Sequence, residues 1–152
     1  MGRAILAVVL GYLTMVAAVF LLLTGAYLGM GADRAFQPGF YQVTPTWLAA
    51  WAAVSIIAAV LGGLVCADIA RTRTPVRALV IVVLILGTLQ AVGVAVAPKP
   101  TPEQQIRSGD VGVFDAMVKA RSPLWVAIAT PIVGAAGVLT GARLVKKRSD
   151  PQ

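Results

Sequence analysis

Four long apolar stretches, Ile5 to Met30, Trp47 to Ala67, Ala78 to Ala97 and Leu124 to Ala142, make up most of the chain, and none contains a charged side chain. A helix needs roughly 20 such residues to cross about 30 Å of hydrocarbon. Lipid also obliges each spanning segment to satisfy its backbone polar groups internally, which leaves helices as the structure these runs can form. The pattern predicts an all-α integral membrane protein, an antiparallel up-down four-helix transmembrane bundle. A single domain over 1–152 accounts for the whole length, with a basic tail over 143–152.

Composition narrows the function classes. Hydrophobic residues make up 59% and charged residues 12%, against about 25% charge in soluble domains. Four helices and their connections use nearly all of the 152 residues, so any activity is expected in the bundle or its loops.

The net charge of +7 invites a nucleic-acid reading, but the basic residues cluster beside the apolar runs: Arg71, Arg73 and Arg77, then Arg143, Lys146, Lys147 and Arg148. Such clusters orient a membrane protein, because Lys and Arg in short loops are retained on the cytoplasmic side. With Arg3 they place eight basic residues on one side, against Arg34, Lys99, Arg107, Lys119 and Arg121 on the other. Both termini are expected in the cytoplasm of a bacterial inner membrane. The expected partners are anionic lipid headgroups there and other membrane subunits or further copies of the chain, not nucleic acid. The first run is far longer than the 7 to 15 apolar residues of a cleavable signal, and is expected to stay as an anchor. Leu6 stands where myristoylation expects Ser or Thr.

The loops carry their own signals. Gly31, Pro38, Gly39 and Pro45 punctuate the first outer loop into turns and argue against a further helix there. Phe36, Phe40, Tyr41, Trp47 and Trp51 are expected to form an interfacial aromatic belt. The short inner connection from Asp68 to Arg77 makes the second and third spans antiparallel neighbours, with Pro75 near the start of the third and Asp68 spaced to pair with Arg71. The second outer loop opens on Pro98, Pro100 and Pro102. Beyond it, Asp110 can cap a short interfacial helix whose apolar face is Val111, Phe114, Met117 and Val118. That helix can lie on lipid, across the mouth of the bundle or on a partner.

Two constellations are candidate functional features. Stripes of small residues permit close helix packing in lipid, where no hydrophobic effect draws helices together. They comprise Gly25 and Gly29; Ser55, Ala59, Gly63 and Ala67; Gly87, Ala91 and Ala95; and Gly134, Gly137 and Gly141. Second, Thr24, Ser55, Gln90 and Thr130 each lie six to eight residues inside the outer ends of their runs, about 9 to 12 Å deep. They could meet in one polar layer, or make isolated interhelical hydrogen bonds. Pro131 adds a carbonyl, that of Ala127, which receives no proline N–H.

The missing residue types exclude more. With no His, imidazole-ligated haem and the commonest metal ligand and general base are absent, and no cofactor is expected. The lone Cys66 excludes CxxC thiol chemistry and reads as a small buried apolar residue. No Asp, Glu, Lys or Arg lies inside a run, so no ion-coupling residue is evident. Small multidrug resistance transporters share the size and helix number, but depend on a membrane-embedded Glu that Ile5 to Met30 lacks. The expected role is a non-enzymatic accessory, assembly or scaffold subunit. The alternative is an oligomeric passive channel or small-solute transporter built around the polar layer.

Overall fold

The computed structural model describes residues 2–70, 72–98, 101, 106, 112–120 and 122–148. The described residues form α1 Gly2–Met30, the single-turn α2 Ala32–Ala35, α3 Pro45–Ala70, α4 Arg73–Val96, α5 Val113–Lys119 and α6 Leu124–Arg148. There is no β-sheet among them, only isolated bridges from Phe36 to Val43 and from Phe40 to Ile106. The helices α1, α3, α4 and α6 are each long and apolar enough to cross a membrane. The chain is an integral membrane protein.

The helices overrun the apolar stretches, chiefly at the basic end. There α3 continues to Ala70, α4 already begins at Arg73, and α6 runs on to Arg148. The expected basic tail is therefore helical over its first part. Lys and Arg are good helix formers, their long stems let the charge reach water from a helix end, and cations suit a helix C-terminus. Pro75 falls in the first turn of α4, where a missing N–H costs nothing. Pro131 lies inside α6 without ending it.

Close backbone approach sets the helix order. α3 packs on α1 along one side and on α6 along another, α4 packs chiefly on α6, and α4 touches α3 and α1 only lightly. The expected neighbours α3 and α4 thus meet, but α6 is the main partner of α4, and α3 packs about equally on α1 and α6. The doublet Gly62–Gly63 serves two interfaces. A Cβ on Gly62 would strike Met15 and the carbonyl of Gly11 on α1, while one on Gly63 would strike the backbone of Val138 on α6. Gly137 admits the Ala59 methyl, Gly141 lies against the backbone of Val60, and Gly87 lies against Pro131, where an added Cβ would stand 2.6 Å from the ring. Gly134 faces Val83. Residue order across these contacts makes α3 and α6 parallel, and each antiparallel to its partner α1 or α4. The inner core that results contains Ala7, Ala59, Cys66, Val76, Leu79, Val83 and Val138. Cys66 has no exposed surface, in keeping with a small packing residue.

A second core closes the end of the bundle opposite the basic residues. Gly31 (φ 74°) ends α1 by donating its N–H to Tyr27 O, and Gly39 (φ 75°) completes a Gln37-Pro38-Gly39-Phe40 turn closed by Phe40 N–H to Gln37 O at 3.0 Å. Positive φ at these positions requires glycine. The loop is not free of helix as expected, since Ala32–Ala35 makes one turn. Its aromatic residues also form more than a belt: Phe36, Tyr41 and Trp47 are buried, and Tyr27 joins them edge-on, its ring centre 6.0 Å from Trp47 and 6.4 Å from Phe36. Phe40 remains exposed.

Thr44 pins this cap. Its hydroxyl donates to Arg34 O at 2.5 Å and accepts from Trp47 N–H at 3.2 Å, so it caps α3 just ahead of Pro45. Thr44→Ala is expected to lower stability by about 1 to 2 kcal/mol. Denaturant unfolding checks this. An unchanged midpoint would mean that aromatic packing alone holds the cap.

Candidate functional site

The expected polar layer does not assemble by hydrogen bonding. Ser55 Oγ donates to Trp51 O at 2.7 Å and Thr130 Oγ1 to Val126 O at 2.6 Å, each one turn back on its own helix. Thr14 and Thr140 do the same. Thr24 Oγ1 is shielded and has no partner among the described residues. Gln90 is exposed, in the second half of α4, which contributes no buried residue: Pro75, Val76, Leu79 and Val83 all lie in the first half. A hydroxyl at helical spacing always has its own i−4 carbonyl within reach, and that local acceptor takes Ser55 and Thr130.

The small-residue stripes divide into used and unused positions. Ala59, Gly63, Gly87, Gly134, Gly137 and Gly141 pack within the chain, and Ala91 is half-buried. Gly25 and Gly29 on α1 are exposed, and an added Cβ at either would meet nothing within 4 Å among the described residues. The tightest glycines of the α1–α3 contact are Gly11 and Gly62. Sequence reasoning missed both, although Ala7 and Gly11 have the small-xxx-small spacing that could have shown one.

Helix α5 sits on this aromatic cap. Ala116 is buried and Val113 and Ala120 pack against the aromatic core, whereas of the expected apolar face Met117 is half-buried and Phe114 and Val118 are exposed. Val111 and the expected capping residue Asp110 lie outside the described residues. Lys119 holds Asp115 at 3.4 Å and stands 5.6 Å from the centre of the Tyr41 ring. Its hydrogen bond and charge attraction to Asp115 push the ammonium pKa up. The pair is therefore intact at neutral pH and is lost as rising pH passes that raised value.

At the opposite end the basic residues enclose a cavity of about 1010 Å³ between the end of α3, the start of α4 and the end of α6. Arg73, Arg77 and Arg143 line it together with Thr72 and one carboxylate, Asp68. Below them Val76, Leu139 and Ala142 give it an apolar floor. Arg71, the expected partner of Asp68, lies outside the described residues, while Lys146, Lys147 and Arg148 continue α6 past the cavity. Arg3 secures the adjoining helix end, donating Nε–H to Ile69 O at 2.9 Å, one of the α3 carbonyls without an intrahelical donor. No cluster of His, Cys, Asp and Glu fit to hold a metal ion occurs among the described residues.

The sequence matches no protein-family model, no curated protein and no solved structure.

Proposed function

We propose that the chain is a non-enzymatic accessory, assembly or scaffold subunit of a bacterial inner-membrane complex, with both termini and the basic end in the cytoplasm. It packs against other subunits through its unused helix faces and holds the anionic leaflet with its basic end. The carrying observation is the contrast among its glycines: those facing neighbouring helices are filled to contact, while Gly25 and Gly29 lie open on the surface of α1. In lipid, a small-residue face gains its van der Waals contact from another helix, and the described residues supply none there. Orientation follows from the eight-to-five division of basic residues.

Extraction from native membranes in a mild detergent, followed by intact-complex mass measurement, tests the reading. One foreign chain in fixed ratio is the expected result. A pure homo-oligomer would instead favour the passive channel or carrier, and flux through reconstituted protein, with and without Gln90→Leu, would then decide it.

A further inference from the structure

We infer that the cavity at the basic end is a specific site for the phosphate headgroup of an anionic phospholipid. This deepens the leaflet-binding part of the proposed function, from charge spread over one end to a site with a defined occupant. Three arginines line it from two helices: Arg73 and Arg77 stand one turn apart on α4, and Arg143 comes from α6. Against them stands the single carboxylate of Asp68, and no ion pair involving the three arginines occurs among the described residues. The site therefore carries net positive charge and unused fork-shaped donors, the arrangement that suits a phosphate.

The floor selects a lipid among phosphate carriers. Leu139 lies one turn below Arg143, about 6 Å nearer the membrane centre, and Val76 and Ala142 line the same space. A phosphate held at the arginine rim leaves its glycerol and first acyl carbons against this apolar wall. Inorganic phosphate has nothing to place there, and the described lining offers no aromatic ring on which a nucleotide base could stack. Basic pockets between helices near the cytoplasmic surface commonly hold lipid headgroups in this way.

The test uses the full chain, purified in a mild detergent and exchanged into mixed phosphatidylglycerol and phosphatidylcholine, with retained lipid counted per protein by mass spectrometry. Phosphatidylglycerol should be retained at least fivefold over phosphatidylcholine. Arg77→Gln and Arg143→Gln should each remove most of that preference. Arg3→Gln makes the same charge change at the same end outside the described lining, and should keep it. Leu139→Trp fills the floor without changing charge, and should also lose retention. Circular dichroism and melting confirm that each variant remains folded.

Equal retention of the two lipids would overturn both the site and the leaflet-binding reading. Equal losses in all three arginine variants would overturn the site alone and leave diffuse attraction. Millimolar inorganic phosphate raising the melting temperature as much as phosphatidylglycerol would overturn the lipid assignment.

Discussion

Gly63→Leu will keep α3 and α6 from closing and cost at least about 3 kcal/mol of stability, at the upper end of what overpacking a core usually costs. The reason is the identity of the facing atoms. A Cβ at Gly63 would meet the carbonyl and Cα of Val138, which cannot rotate away as a side-chain tip can. Relief requires the two helices to separate. That separation would also withdraw Ala59 from Gly137 and Val60 from Gly141. Helix content should stay near normal, because each span satisfies its own backbone bonds in lipid, while resistance to unfolding by sodium dodecyl sulfate falls sharply. An unchanged unfolding midpoint would mean that the α3–α6 contact is not the centre of the fold.

The double substitution Gly25→Leu and Gly29→Leu should do the reverse. Among the described residues nothing lies within 4 Å of an added Cβ at either position, so the isolated chain should unfold at the same detergent fraction as the unsubstituted protein. Recovery of the foreign partner chain should fall at least tenfold, which corresponds to about 1.4 kcal/mol of association energy. Intact-complex mass measurement on both proteins reads this directly. Full recovery of the partner would assign this face of α1 to lipid and withdraw the scaffold reading's main support.

The four spans were legible because lipid demands long uncharged runs, and Ile5 to Met30 or Ala78 to Ala97 admit few other readings. The extra helical turns at the basic ends were not legible, because Asp68, Arg77 and Arg143 close the uncharged runs although arginine continues a helix readily. Gly63, Gly137 and Gly141 stood out by spacing. Gly62 did not, since adjacent glycines look redundant until two different neighbours use them. Counting residues from a helix end gives depth but not bonding partners: Ser55 and Thr130 bond to carbonyls of their own helices, and Gln90 lies in the half of α4 without a buried residue.

Tyr27 was hidden inside an apolar run, so its place in the outer aromatic core had no local signal. The arginine-lined cavity was visible only as charge. Arg77 and Arg143 are far apart in sequence, and it takes the packing of α4 against α6 to bring them around one space.

The two-sided arrangement of the bundle is best tested by labelling single cysteines with a membrane-impermeant thiol reagent in intact cells. Val118→Cys lies on the exposed face of α5, and Thr72→Cys lies in the exposed connection between α3 and α4. The fully buried Cys66 contributes little background. The account predicts that Val118→Cys reacts in intact cells and Thr72→Cys only after permeabilisation. Labelling of both positions in intact cells, or of Thr72→Cys alone, would contradict it.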